Sequence, residues 1–238
     1  MEWTDDGFVL AVRLHGETSA IVSLLTRDHG RHPGLVRGGA GRRMRGMLQA
    51  GNLVRATWRG RLAEHLGAYV VEPLRAFSAD VLRDSLRLAA LSAACAVAER
   101  ALPEREPHAA VFDGLGILLG ALSGEQWPSV YVKWELGLLA ELGYGLDLSS
   151  CAATGRNDEL AYVSPRTGRA VSLAAGEPYR DKLLALPAFL LGREDEGDSA
   201  GIIEGLRITG HFLERHLFAP HGADLPAARQ RLAERLGV

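Results

Sequence analysis

The sequence predicts an α+β protein with its β structure first, and three observations predict it. Residues 1–76 alternate apolar and polar positions with the period of strands, the period lengthens to that of helices from Ser78, and a polar, turn-rich stretch at about 145–176 interrupts the helical pattern. With 238 residues and 47% hydrophobic content the chain can bury a core in one large or two small domains. The change of period sets the expected boundary: a β domain over 1–77, then a helical domain over 78–238 that carries the insert.

Phe8, Leu10, Val12 and Leu14 alternate as a first strand, and Gly16-Glu17 turns the chain into a second over 20–26. Asp28-His-Gly30 turns it again, and Pro33 confines the short third strand to an edge or a strand start. A glycine- and arginine-rich loop over 34–46 leads to a fourth strand over 52–62. There Val54, Ala56 and Trp58 fall on one face and Arg55, Thr57, Arg59 and Arg61 on the other. Residues 67–72 form a fifth strand that Pro73 stops. Five strands with a long connection between the third and fourth fit the small Greek-key barrel of the OB-fold; an SH3-like barrel is the topological rival.

Ser78 is the expected N-cap of a helix running to about Leu102, where Pro103 ends it. Further helices are expected at 108–122, 128–142, 178–191, 199–218 and 224–236, with Pro128 in a first turn, Gly143 at an end, and Asp224 with Pro226 opening the last. Trp127, Tyr131 and Trp134 share one helix face, which suits core packing and would also suit the grip of a peptide.

The net charge of −2 conceals a segregation. Residues 1–77 hold 11 arginines and no lysine against 7 acids, so the excess of acids lies in the remainder. Arg37, Arg42, Arg43 and Arg45 surround a run of glycines, and Arg55, Arg59 and Arg61 form a stripe along the fourth strand. Guanidinium groups are always charged and fork onto phosphate oxygens, while glycine lets a backbone approach closely. Alternate side chains on a strand stand roughly 6.6 Å apart, close to the phosphate repeat of an extended single strand. These seven arginines are the candidate nucleic-acid contacts; a solvated loop and an ordinary outward strand face are the plainer uses of the same residues. The acidic remainder points to protein partners.

Other chemistry finds little support. Gly38, Gly39 and Gly41 are not followed by Gly-Lys-Ser/Thr and precede a strand, so they do not form a phosphate loop. His211 and His216, five apart, do not share a helix face as a zinc pair would. Neither paired carboxylates nor a nucleophile motif stands out, and no catalytic residue is expected. Cys95 and Cys151 are too few for a disulfide framework and read as free thiols. No run of 18 apolar residues is present and the start is acidic, so a soluble, cytoplasmic protein without a membrane segment is expected.

Residues 7–30, with Leu35-Val-Arg-Gly-Gly39, Arg42-Arg-Met-Arg-Gly-Met-Leu-Gln49 and Glu72, resemble the N-terminal domain of the RecO family of bacterial recombination mediators. Glu141-Leu-Gly-Tyr144, Leu146, Cys151 and Tyr162-Val-Ser-Pro165 resemble that family's helical domain. The resemblance spans nearly the whole chain and is most specific in its first 50 residues. It implies an OB-fold barrel followed by a helical domain, and a non-enzymatic role in recombinational DNA repair. It also implies binding and annealing of single- and double-stranded DNA, contact with RecR and with the C-terminal tail of the single-strand-binding protein, and help in loading RecA. Arg180, Lys182 and Arg207 are candidates for the cationic rim of a tail pocket.

Many members of that family carry two CxxC pairs on a zinc ion in the insert. Here the corresponding segments are Cys151-Ala-Ala-Thr154 and Val171-Ser-Leu-Ala-Ala175, so one thiolate remains where a closed site needs about four ligands. A degenerate zinc-finger-like insert without metal, and no cofactor, is therefore expected. Two alternatives stay open: an RNA-binding OB-fold module, and a nucleic-acid-processing enzyme that uses the acids scattered over 177–198.

Overall fold

A computed structural model describes residues 1–192 and 197–238; of the acids in 177–198, Glu194, Asp195 and Glu196 lie outside the described residues. The chain divides into two compact units, one of Met1–Ser123 with Pro226–Arg229, the other of Gly124–Leu225 with Gln230–Val238.

In the first unit β1 (Glu2–His15), β2 (Ser19–Thr26), β3 (Gly30–Val36), β4 (Leu53–Arg59) and β5 (Ala68–Arg75) close into a barrel in the order β1-β2-β3-β5-β4. The pairings are antiparallel except β3 with β5, where Leu35 lies against Ala68 and Val36 against Tyr69 in parallel. This closure is that of the OB-fold, and the SH3-like rival falls. Pro33 pairs only toward β2, on a stretch of β3 that β5 does not reach, so its missing N–H costs no ladder bond.

The first strand begins six residues earlier than expected. Its bulge between Val9 and Ala11 lets one strand pair with β4 along its first half and β2 along its second. The expected apolar face is correspondingly split: Phe8 and Leu10 are buried, whereas Val12 and Leu14 are exposed. Val9, Val22, Leu24, Val54, Ala56 and Trp58 fill the barrel. The fourth strand ends at Arg59, so Arg61 belongs to the β4–β5 loop and not to the strand.

Phe8 faces out of the barrel, where α2 (Phe77–Asp80), α3 (Ser85–Ala101) and α4 (Ala109–Ala121) cover that side; its ring lies 4.9 Å from Phe112. The helix expected over 78–102 is broken at 81–84. Ser78 is no cap, because its N–H and hydroxyl are engaged by Asn52 and Gln49. Asp84 caps instead, accepting from the N–H groups of Leu86 at 2.9 Å and Arg87 at 3.1 Å.

In the second unit α5 (Trp127–Glu141) packs on α7 (Ser199–Leu213), where Gly205 keeps the crossing close: a Cβ there would lie 2.9 Å from Val132. Trp127, Tyr131 and Trp134 are buried, which settles them as core. The insert holds a small sheet in the order β7-β6-β8, from β6 (Leu160–Val163), β7 (Ala170–Ser172) and β8 (Leu184–Ala185), with a single turn α6 (Leu173–Gly176) after β7.

The helix expected at 178–191 does not form. Two 3-10 turns, Glu177–Lys182 and Ala188–Leu191, flank β8, because Pro187 disfavours helical backbone at Leu186 and removes a donor. Cys151 is buried, with its Sγ 3.2 Å from the N–H of Ser172 and 3.4 Å from its hydroxyl. Among the described residues no group of three or more His, Cys, Asp or Glu is placed to hold a metal. The last helix is α8 (Ala227–Leu236), and no helix among the described residues is long and apolar enough to cross a membrane.

Candidate nucleic-acid interface

Of the stretch expected to be a loop over 34–46, residues 34–36 finish β3, and a turn and a short helix, α1 (Arg42–Met47), follow. Met44 and Met47, one turn apart, pack against the barrel core. That anchoring leaves Arg42, Arg43 and Arg45 exposed, and the Nε of Arg45 donates to the carbonyl of Ala40 at 2.8 Å. Arg37 is exposed in the turn before the helix. The glycines serve the turn's approach to its neighbour: Gly38 has a φ of +70°, and a Cβ on Gly39 would meet that of Ala20 at 2.8 Å. The turn lies against the β1–β2 hairpin through a bond from Ala40 N–H to Thr18 O of 3.0 Å.

The stripe on β4 has the expected outward face but is not a free row of cations. Antiparallel pairing sets Glu2 opposite Arg59 and Asp6 opposite Arg55, and both pairs close at 2.8 Å. The hydrogen bond from Arg59, with its charge, holds the Glu2 carboxyl below the usual range. Arg27, Arg31 and Arg75 are also ion-paired, with Asp113, Glu99 and Asp80. Arg37, Arg42, Arg43, Arg45 and Arg61 make no ion pair among the described residues, and neither does Arg13.

Arg13 is a candidate that sequence reasoning missed, because a single arginine in an apolar strand carries no motif. The register sets it beside Ile21 of β2, which in turn lies beside Leu35 of β3. These face outward, since Ala20, Val22 and Val36 point in. The β2–β3 face is where OB-folds commonly take oligonucleotides.

Val36, Arg37, Met44, Arg59, Tyr69 and Val70 line a groove of about 600 Å³, so one predicted residue from the turn and one from the stripe meet there. Arg42, Arg43 and Arg45 follow on α1, while Arg55 lies further along β4 and Arg61 in the loop beyond it. Changing Glu2→Gln and Asp6→Asn together should free two guanidinium groups. Nucleic-acid binding should then tighten, and the salt dependence steepen by roughly 0.7 in slope per new phosphate contact on a single strand. Anisotropy titrations at several salt concentrations check this; an unchanged slope would remove the β4 stripe from the interface.

Beneath this surface His32 is 3% exposed, with the Tyr69 hydroxyl 3.1 Å from its Nδ1. Burial, reinforced by the charge of Arg105, pushes its pKa from 6.5 down to about 4. The folded protein therefore holds this ring neutral while the unfolded chain begins to protonate it near pH 6.5. The contribution to stability is complete above pH 6.5 and is lost as pH falls toward 4, on the order of 3 kcal/mol. Urea unfolding at pH 7 and pH 4.5 should show the loss, and His32→Gln should remove much of the difference. An unaltered difference in that variant would assign the acid sensitivity to other groups.

Family models match both parts of the chain: "Recombination protein O N terminal" over residues 1–77 and "Recombination protein O C terminal" over residues 82–224. Among curated proteins, the chain is 60% identical to the "DNA repair protein RecO" of Rhodospirillum centenum over 237 residues, 99% of this chain and 94% of that one. It is 55% identical to the protein of the same description from Rhodospirillum rubrum, covering 99% and 96% of the two chains. A third, from Phenylobacterium zucineum, is 53% identical over 99% of this chain and 98% of its own.

Proposed function

The chain belongs to the RecO family of DNA repair proteins, and on that premise we propose that it is a non-enzymatic recombination mediator whose barrel binds single- and double-stranded DNA. The observation that carries this reading is the set of exposed arginines without an ion pair among the described residues, Arg37, Arg42, Arg43 and Arg45, beside a groove on an OB-fold barrel. Binding by phosphate neutralisation releases counterions, and two strands held on one cationic surface repel each other less, so annealing needs no nucleotide hydrolysis. Residues 1–77 take the DNA in this reading. Residues 78–238 take protein partners, RecR and the tail of the single-strand-binding protein, through which RecA is loaded in the cytoplasm.

For the tail, an acidic and apolar segment, the turn Glu177–Lys182 offers the exposed ring of Tyr179. Of the three candidate rim cations Arg180 pairs with Glu177 and Arg207 with Glu204, while Lys182 makes no ion pair among the described residues.

Titration of labelled single-stranded DNA across a salt series tests the reading. Log K should fall linearly with log salt, by about 0.7 in slope per phosphate contact, and complementary strands should anneal faster with the protein present and no nucleotide. A flat salt dependence would overturn it. Preference for RNA at matched salt would favour the RNA-binding module, and strand cleavage or extension abolished by a chelator would favour the enzyme.

A further inference from the structure

At the start of β1 three rings stack in a column. Trp3 lies 5.8 Å from Trp58 at an interplanar angle of 16° and 4.0 Å from His29 at 8°. Trp58 is the buried end, and the His29 side chain, at the other end, is 34% exposed. The outer ring is fixed rather than loose. Asp5, whose side chain is 7% exposed, accepts from the N–H of Asp28 at 2.8 Å and lies 3.0 Å from the Nδ1 of His29.

The column lines a pocket of about 410 Å³, within the range of small-molecule sites, together with Glu2, Asp28 and Arg105. Arg105 sits at a φ of +64° and spends its Nη atoms on Glu104 and the carbonyl of Glu64. Its Nε is buried without a hydrogen-bond partner among the described residues, so Arg105 closes the pocket wall rather than offering it a donor. Glu2, on the pocket side, is bonded to Arg59, which lines the groove beside α1; one ion pair stands between the two cavities.

The chemistry of the walls selects the occupant. Carboxylates of Glu2 and Asp28 repel a phosphate but accept from exocyclic amines and ring N–H groups, and the exposed end of a ring column takes a further flat ring. We propose that this pocket receives one unstacked nucleobase of the strand whose phosphates lie in the groove, stacked on His29 with its edge toward Asp28 and Glu2. The inference rests on the DNA-binding reading and adds to it a contact that carries no charge.

Two single strands of equal length and phosphate count, one with its bases and one abasic throughout, separate the two ideas. The protein should bind the base-bearing strand at least about fivefold more tightly, the worth of one stacked base, with the same salt slope for both. His29→Ala should abolish that preference and leave the slope unchanged, whereas His29→Phe, which keeps a ring, should retain it. Equal affinity of the wild-type protein for both strands, or a preference that survives in His29→Ala, would overturn the nucleobase pocket while leaving phosphate binding intact. Failure to bind either strand would instead remove the DNA-binding reading and the pocket with it.

Discussion

Replacing Gly30 by alanine should destabilise the protein by about 3 kcal/mol or more, a larger effect than any surface change in the barrel. Gly30 opens β3 with a φ of +66°, which already penalises a side chain. The second cost is steric: a Cβ there would lie 2.0 Å from the carbonyl oxygen of Glu106 and 2.4 Å from its carbon. Backbone cannot rotate away as a side chain can, so the 104–106 segment must move. That movement would strain the bond from Arg105 N–H to Arg31 O, now 2.8 Å, and withdraw Arg105 from the aromatic pocket. Gly16→Ala provides the control, because Gly16 has a φ of +62° with nothing within 4 Å of the added atom. It should cost only about 1–2 kcal/mol. Denaturant midpoints of the two variants test the argument, and equal losses would show that the close approach of Glu106 adds nothing.

The contrast between Gly30 and Gly16 marks the reach of the sequence. Both read as turn glycines; only the fold tells which one another segment presses against. The core of β2 and β4 was legible because Val22, Leu24, Val54, Ala56 and Trp58 keep a strict alternation. The start of β1 was not, since Trp3 and Val9, which point inward, are separated by Asp5, Asp6 and Gly7, and Asp5 there holds the Asp28-His29 turn. In the candidate site the arginines were visible by composition and the neutralisation of Arg55 and Arg59 was not. Arg59 meets Glu2 from 57 positions away, and pairing of that range follows from register rather than from any local pattern. The interrupted segment at 178–191 failed for a different reason: its leucines keep a helical spacing, but Pro187 decides the backbone.

That distinction between paired and free cations sets the size of the last expected effect. Changing Arg37, Arg42, Arg43 and Arg45 together to alanine should weaken binding to single-stranded DNA by roughly a hundred- to a thousandfold near 0.1 M salt. Each lost contact removes about 0.7 from the slope of log K against log salt, and the four together would remove nearly 3. Stability should stay within about 0.5 kcal/mol, because all four side chains are exposed while Met44 and Met47, which anchor α1 to the barrel, are untouched. Arg55→Ala with Arg59→Ala should flatten the slope less per residue, since Asp6 and Glu2 already hold those guanidinium groups at 2.8 Å and phosphate must displace them. Measuring both variants against the same labelled strand ranks the two surfaces. Wild-type affinity and slope in the fourfold variant would make the turn and α1 a solvated surface, and a larger loss in the Arg55/Arg59 pair would move the principal phosphate path onto β4.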